Sequence, residues 1–152
     1  MEKPLVSIIT PSYNSEKFIS ETIKSVQNQT YQNWEMIIVD DCSTDETTTI
    51  INTFLVDKRI TLHQLERNSG TGIARNKALY LASGRFIAFL DSDDLWKPEK
   101  LEKQVHYLIS ENKPFTFSFY DCINEAGKSL HKTIEAPLNL KYNQLFWSNL
   151  VG

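Results

Sequence analysis

The stretch Gly84-Arg85-Phe86-Ile87-Ala88-Phe89-Leu90-Asp91-Ser92-Asp93-Asp94 decides both the fold and the candidate site. Residues 86–90 are continuously apolar, which is typical of a strand covered on both faces of a parallel sheet. Three carboxylates follow within four residues. On extended backbone, the side chains of Asp91 and Asp93 would point to the same side. There they could share one divalent cation, since Mg²⁺ or Mn²⁺ is typically held by one or two carboxylates plus substrate phosphates. The alternative is a solvated acidic loop.

The rest of the chain continues this alternation of apolar runs and amphipathic segments. We predict strands at residues 5–10, 35–39, 60–65, 86–90 and 115–120, with a turn at 124–128 and a short helix at 141–150. Alternating strands and helices predict an α/β fold with a mostly parallel sheet and helices on both faces. Ligands of such sheets bind at the carboxyl ends of the strands.

The predicted helices are defined by apolar faces and by their first residues. Ser43 and Glu46 form a capping-box pattern for a helix through Leu55, and Pro98 suits a first helical position. The apolar faces comprise Phe18, Ile19, Thr22, Ile23 and Val26; Ile73, Ala74, Ala78, Leu79, Leu81 and Ala82; and Leu101, Val105, Leu108 and Ile109.

Polar residues follow three further strands. Tyr13, after the first strand, could pack against a flat ring, although a simple turn is the alternative. Asp40 and Asp41 follow the second, and adjacent carboxylates raise each other's pKa unless a partner is present. A ligand N–H would be such a partner; capping of the next helix is the alternative. Arg75 lies one turn into a helix opened by glycines, where it could face a phosphate or a carboxylate.

Composition and charge exclude several classes of protein. The chain has 152 residues, 16 Lys and Arg against 19 Asp and Glu, and a net charge of −3. This balance excludes a nucleic-acid-binding protein with a basic stripe. No apolar run approaches the ~20 residues of a membrane span, and the N-terminus lacks a secretory signal pattern. Two cysteines do not make a disulfide scaffold. We therefore expect a cytoplasmic protein.

Taken together, four blocks of the sequence resemble the family 2 glycosyltransferases, which have a nucleotide-sugar-binding, Rossmann-like GT-A fold. The blocks occur in the family's order and spacing and cover about residues 5–100: VSIITPSYN at 6–14, VDDCSTD at 39–45, NSGTGIARN at 68–76 and GRFIAFLDSDD at 84–94. The resemblance implies inverting, metal-dependent transfer of a sugar, as in polysaccharide biosynthesis, from a nucleotide-diphosphate sugar, most often a UDP-sugar. The acceptor would be a glycan or lipid-linked molecule, which leaves open a peripheral association with the inner face of the membrane.

The same resemblance implies roles for individual residues. Asp41 would accept a hydrogen bond from the nucleobase, and Arg75 would lie near the base or diphosphate. Asp93, with Asp91, would hold Mn²⁺ or Mg²⁺. The donor-binding residues would be Thr10, Pro11, Tyr13, Asp41, Arg75, Asp91 and Ser92.

One part of the family pattern is missing from the sequence. The general base normally lies well downstream of the Asp-x-Asp block, and no later carboxylate stands in a recognisable motif. We therefore expect residues 1–121 to be the donor-binding region and residues 122–152 to begin a truncated acceptor-binding region without the base. Two alternatives remain at this point: a non-catalytic nucleotide-sugar-binding module, and a response-regulator receiver domain, whose acidic pair would instead end the first strand.

Overall fold

The computed structural model describes residues 3–135. The chain forms two compact units that divide between Glu102 and Lys103. The predicted helix at 141–150 lies outside the described residues. No helix in residues 3–135 is both long enough and apolar enough to cross a membrane.

The first unit is built on a four-stranded parallel sheet, which confirms the α/β prediction. Its strands are β1 (Val6–Ser12), β2 (Trp34–Asp40), β3 (Ile60–Gln64) and β4 (Phe86–Phe89), in the spatial order β3-β2-β1-β4. The helices are α1 (Ile19–Gln27), α2 (Thr47–Phe54), α3 (Thr71–Leu81) and α4 (Lys100–Ser110), which extends across the division between the units.

The core explains why the strands are continuously apolar. On one face of the sheet, Ile9, Ile37 and Val39 form a cluster with Ala74 and Ala78 of α3. The alternate residues Ile8, Met36 and Ile38 point to the opposite face and are also fully buried. Both faces of β1 and β2 are therefore excluded from water, as expected for central strands of a parallel sheet.

The strand order predicts where on the sheet a ligand would bind. The chain proceeds from β1 to β2 to β3 in one direction and then returns to place β4 on the other side of β1. In open α/β sheets, ligands bind at the carboxyl ends of the strands where the order reverses. That point lies between the end of β1 and the end of β4, where Tyr13 and Asp91 follow their strands.

The predicted fifth strand is wrong in position. Residues 115–119 form no strand; instead β5 (Tyr120–Ile123) pairs antiparallel with β6 (Ser129–Ile134) in the second unit. The predicted turn between them is confirmed, because Asn124 Oδ1 accepts hydrogen bonds from the backbone N–H groups of Ala126 and Lys128, and Gly127 has φ 72°. This turn fixes the pairing of the two strands that flank it. The alternating aromatic residues at 115–119 precede β5 and do not determine where the strand lies.

The predicted capping box of α2 is also wrong. Ser43 does not cap the helix, because both its N–H and its hydroxyl donate hydrogen bonds to the carboxylate of Asp40. The helix begins at Thr47, whose N–H donates to Asp45 Oδ1 at 3.0 Å. Asp45 also accepts the N–H of Glu16 at 3.2 Å. This contact with the segment after β1 holds the Asp45 carboxylate at the start of α2.

Two other helices differ from prediction in detail. The face predicted for α1 is confirmed at Ile19, Thr22, Ile23 and Val26, which are buried. In α3, only Ala74 and Ala78 are buried, and their small side chains let the helix lie close to the sheet. Ile73 and Leu79, which the sequence placed on the same face, are exposed. In α4, Leu101 and Val105 are buried but Ile109 is exposed. Pro98 precedes the helix by two residues and is not its first residue.

Gly84 is required by a close approach of backbone to β1. A Cβ at this position would lie 2.6 Å from the backbone N of Ser7 and 2.9 Å from the carbonyl O of Leu5. We expect Gly84→Ala to lower the free energy of unfolding by about 2 kcal/mol, since the backbone must shift to admit the methyl group. Urea denaturation measures this. Gly72→Ala is the matched control, because nothing lies within 4 Å of its Cβ. Equal stability of both variants would contradict the steric argument.

Asp57 makes the stability of the first unit dependent on pH. Hydrogen bonds from the Arg59 side chain, against the opposing effect of burial, lower the pKa of Asp57 from 3.8 to about 2. Arg59 Cζ in turn lies 3.8 Å from the centre of the buried Trp34 ring. A lowered pKa contributes stability above the unfolded pKa, and that stability is lost as the pH falls from 3.8 through about 2.

The corresponding prediction concerns Asp57→Asn. At pH 7 this variant should be less stable than the wild type by about 2 kcal/mol. The difference should shrink by about half at pH 3, because the wild type has by then lost part of the stabilisation that the ionised Asp57 carboxylate provides. Denaturation curves at several pH values measure it, with Glu46→Gln, an exposed carboxylate, as the control. A difference that stays constant between pH 7 and pH 3 would show that the carboxylate charge is not responsible.

Candidate functional site

An open cavity of about 290 Å³ lies at the carboxyl ends of the strands. Its volume is close to the lower end of the range of small-molecule sites. The lining residues come from four segments, each at the end of a different strand or after it: Pro11, Ser12 and Tyr13; Asp41; Thr71 and Ala74; and Asp91, Ser92 and Asp93. The cavity is therefore located where the strand order predicts a ligand crevice.

Tyr13 provides an exposed aromatic ring on one side of this cavity. It is 47% exposed, whereas the Pro11 and Ser12 residues before it are buried. The next residue, Asn14, has φ 47°, and its Oδ1 accepts the N–H of Thr44 at 2.9 Å. This bond ties the loop after β1 to the loop after β2, so the backbone that carries the ring is fixed although the ring itself faces solvent.

Asp40 and Asp41 are held separately, and each has hydrogen-bond donors of the protein as partners without any ligand. Asp40 accepts two hydrogen bonds from Ser43. Asp41 accepts the backbone N–H groups of Ser69 and Gly70, one on each carboxylate oxygen, both at 2.7 Å. Both residues are almost fully buried, and each charge is balanced by donors of the protein itself.

Asp41 also determines how the glycine loop enters α3. Gly70, at the position before the helix, has φ 91°, a conformation that favours glycine. Its N–H points to Asp41, and its carbonyl O accepts the N–H groups of Ile73 and Ala74. The loop is thus fixed from β2, and it places Thr71 and Ala74 along the cavity wall.

The acidic segment after β4 is a turn, which corrects the expectation of extended backbone at Asp91 and Asp93. Residues 92 and 93 form the turn, and Asp94 N–H donates to the carbonyl O of Asp91 at 3.2 Å. Turn geometry is favoured here because β4 ends at Phe89 and leaves these residues without a neighbouring strand. Partial burial, and repulsion from Asp93 and then Asp91, raise the pKa of Asp94.

Arg75 links the glycine-opened helix to the acidic turn. Its Nη2 donates to Asp91 Oδ1 at 2.6 Å in an ion pair that is about half exposed. Its Nε is buried and has no hydrogen-bond partner among the described residues. The guanidinium therefore lies next to a cavity carboxylate, with one donor that a further acceptor could use.

The donor set of the cavity fits a hard divalent cation that also binds a diphosphate. Asp91 and Asp93 both line it, and Mg²⁺ or Mn²⁺ usually takes one or two protein carboxylates plus substrate phosphates. Within residues 3–135, no cluster of three or more His, Cys, Asp or Glu side chains could hold a metal ion by itself. The residues present thus suit a cation shared with a ligand.

The structure brings together most of the residues that the sequence singled out. Pro11, Tyr13, Asp41, Asp91, Ser92 and Asp93 all line the cavity, and Arg75 is paired with one of them. Thr10 is fully buried and lies outside the lining. The sequence analysis missed Ser12, Thr71 and Ala74. The glycine pair flanking Thr71 was the available signal for a loop that approaches a ligand.

Comparison with known proteins identifies the family. The chain matches the profile described as Glycosyl transferase family 2 over residues 7–151. It is 48% identical over 151 residues to "Putative teichuronic acid biosynthesis glycosyltransferase TuaG" of Bacillus subtilis, covering 99% of this chain and 60% of that protein. It is 47% identical over 152 residues to "UDP-Glc:alpha-D-GlcNAc-diphosphoundecaprenol beta-1,3-glucosyltransferase WfgD" of Escherichia coli, covering 100% of this chain and 59% of that protein.

Solved structures that are similar to this chain support the same family. S. aureus TarS in complex with UDP is 39% identical, with a TM-score of 0.68 over 70% of this chain and 32% of that chain. Mannosyltransferase PcManGT from Pyrobaculum calidifontis, in complex with GDP-Man and Mn²⁺, is 28% identical, with a TM-score of 0.67 over 81% and 36% of the two chains. The predicted Rossmann-like GT-A fold is confirmed and the receiver domain is excluded. The present chain spans about 60% of the length of the two relatives, and it belongs to glycosyl transferase family 2.

Proposed function

We propose that the whole protein transfers a sugar from a nucleotide-diphosphate sugar, with UDP as the nucleotide, to a glycan or lipid-linked acceptor with inversion. The observation that carries the proposal is that Tyr13, Asp41, Asp91 and Asp93 all line the same cavity. The E. coli relative is named for a UDP-Glc donor and a diphosphoundecaprenol-linked acceptor, and TarS has been solved with UDP and with UDP-GlcNAc. These names support the choice of donor and acceptor class.

The cavity suggests how the donor would be bound. Tyr13 would pack against the nucleobase, because its ring is exposed on a fixed loop. Each oxygen of Asp41 accepts one hydrogen bond and retains a lone pair for a base N–H. Pro11 would contribute apolar contact, and Ser92 with Asp91 would contact the ribose or the donor sugar. Thr10 has no role in this proposal, since it lies outside the lining.

The diphosphate would lie beside the Arg75–Asp91 ion pair, next to the acidic turn. Asp93, with Asp91, would hold Mn²⁺ or Mg²⁺, which as a Lewis acid stabilises charge on the leaving diphosphate. Arg75, whose side chain is 37% exposed beside Asp91, would donate to phosphate oxygens. Fixed charges of this kind stabilise a transition state at little reorganisation cost.

The acceptor hydroxyl would attack the anomeric carbon from the side opposite the diphosphate, through an oxocarbenium-like transition state. Inversion requires a general base on the acceptor side. The cavity carboxylates Asp41, Asp91 and Asp93 are all assigned to the donor. We therefore propose that the base comes from outside this cavity, in the acceptor-binding part of the whole protein.

Calorimetry with the whole native protein tests the donor half of the proposal. UDP should bind in the presence of Mn²⁺ and much more weakly in EDTA, and GDP titrated under the same conditions serves as the comparison. Tighter binding of GDP would change the nucleotide but not the class of donor. Absence of metal-dependent binding for every nucleoside diphosphate would exclude the proposed function. Binding without transfer to any glycan or lipid-linked acceptor would favour a non-catalytic module.

A further inference from the structure

Polar side chains on α1 and just beyond its end hold the acidic segment in place. Residues 91–99, between β4 and α4, contain turns but neither helix nor strand, although they carry the carboxylates of the site. Two α1 residues one turn apart, Thr22 and Ser25, and Gln29, two residues beyond the end of the helix, bond to this segment. We call Thr22, Ser25 and Gln29 the α1 polar row.

The hydrogen bonds of the α1 polar row follow the segment in order. Thr22 Oγ1 donates to the carbonyl O of Ser92 at 2.9 Å. Ser25 Oγ accepts the N–H of Trp96 at 3.2 Å. Gln29 Nε2 donates to the carbonyl O of Lys97 at 2.9 Å, and Gln29 Oε1 accepts the N–H of Leu101 at 3.0 Å. Three side chains thus replace the strand partners that this backbone lacks.

Burial makes these bonds costly to lose. Thr22 is fully buried on a helix whose other buried residues are the apolar Ile19, Ile23 and Val26, and Gln29, just beyond that helix, is 1% exposed. A buried polar group costs free energy unless it is hydrogen-bonded. Valine or leucine would fill the same space without that requirement. The polar residues therefore provide directional contacts that apolar packing would not.

Of the three residues in the α1 polar row, Thr22 is the one whose bonded partner, Ser92, lies nearest to the carboxylates in sequence. A threonine hydroxyl within a helix commonly bonds the carbonyl one turn back, and Thr22 Oγ1 does lie 3.4 Å from the carbonyl O of Phe18. Its bond to Ser92, 70 residues away in sequence, is the shorter one. Ser92 is the residue between Asp91 and Asp93, so this bond fixes the peptide between two carboxylates that repel each other.

We infer that Thr22 is a positioning residue for the metal and diphosphate site: its hydroxyl holds the turn at Ser92 so that Asp91 and Asp93 face the cavity together. Ser25 and Gln29 fix the following residues so that the turn cannot slide along α1. The inference rests on the proposed function, because it assumes that a divalent cation and a nucleoside diphosphate bind at these carboxylates.

Thr22→Val in the whole native protein tests the inference, since valine keeps the shape and removes the hydroxyl. The measurements are UDP affinity by calorimetry, with Mn²⁺ and in EDTA. We expect the Mn²⁺-dependent gain in affinity to fall about tenfold, which corresponds to the loss of one well-formed hydrogen bond. Binding in EDTA should stay within twofold of the wild type. Thr22→Ser, which restores the hydroxyl, should recover the gain. Thr53→Val, at an exposed threonine of α2 bonded within its own helix, is the matched control.

Hydrogen exchange of the metal-free protein provides a second measurement. Thr22→Val should speed exchange in the peptide that contains residues 92–97, and Thr53→Val should not. If Thr22→Val fails to fold, Ser25→Ala provides the test, because it removes the acceptor of Trp96 N–H and should lower the Mn²⁺-dependent gain by a smaller factor.

The outcomes separate this inference from the proposed function. If the wild type binds no nucleoside diphosphate with Mn²⁺, the proposed function fails first. If the wild type binds and the hydroxyl-deleting variants retain its full metal dependence, the positioning role is wrong. Equal losses of affinity with Mn²⁺ and in EDTA would also overturn it, because they would indicate general destabilisation of the cavity.

Discussion

Replacement of Asp93 with asparagine is expected to remove most of the metal-dependent binding of UDP, lowering that affinity about 100-fold, which is the size of loss expected when one partner of a close charge pair is removed from a binding site. Asparagine has nearly the same shape, but its neutral oxygen is a weaker ligand for Mg²⁺ or Mn²⁺. Asp93 lines the cavity, and its neighbour Asp91 is already paired with Arg75 at 2.6 Å. Asp91 alone should therefore not compensate for the lost charge.

Calorimetry with and without Mn²⁺ measures this loss, and sugar transfer by the whole protein should fall at least as far. Affinity for UDP in EDTA should be unchanged or slightly higher, because one negative charge near the diphosphate has been removed. Glu21→Gln is the control, since it removes a carboxylate from the exposed face of α1, where Glu21 pairs with Lys24. A wild-type response of Asp93→Asn to Mn²⁺ would place the cation elsewhere.

Asp41→Asn is expected to lower the free energy of unfolding by about 3 kcal/mol, since hydrogen bonds to a charged group contribute more than neutral ones. The Asp41 carboxylate is 3% exposed and receives the N–H groups of Ser69 and Gly70 on its two oxygens. An asparagine would offer one acceptor and turn an NH₂ group towards the other N–H. One buried donor would then lack a partner, and the start of α3 would move.

Urea denaturation measures this stability, and UDP affinity in EDTA measures the effect on the nucleobase contact. We expect both to fall, because the same carboxylate fixes the glycine loop and faces the cavity. Glu66→Gln is the matched control, being an exposed acidic residue that precedes the same loop. If Asp41→Asn lowered UDP affinity but left stability unchanged, the carboxylate would be a ligand contact and not a support of the loop.

Much of this site could be predicted before the fold was known, because its signals are local. The apolar run at residues 86–90 predicted β4, and the carboxylates after it were placed at a strand end. Residues 35–39 likewise predicted β2 and put Asp41 at its carboxyl end. The prediction worsened at residues 115–120, where the alternating aromatics suggested a strand. The turn at Asn124 sets the actual pairing of β5 with β6.

Hydrogen-bond partners were predicted less well than residue positions. For Asp40 and Asp41 the sequence suggested a ligand N–H or the next helix as a partner, whereas Ser43, Ser69 and Gly70 donate to them. These partners lie 3 to 29 residues away, and no spacing in the sequence marks the distant ones. The α1 polar row shows the same limit, since Thr22 was assigned to an apolar helix face and in fact bonds to Ser92.

The sequence by itself determined the alternation of strands and helices, the four blocks of the glycosyltransferase family, and the carboxylates at and after the ends of β2 and β4. These follow from side-chain periodicity and local turn chemistry, which act over a few residues. Only the tertiary structure decided that β4 lies beside β1, which brings Tyr13, Asp91 and Asp93 to one cavity. It also decided that Arg75 pairs with Asp91 and that Thr22 holds Ser92. Such contacts depend on how whole elements pack, because their partners are brought together only when the apolar faces of sheet and helices are buried.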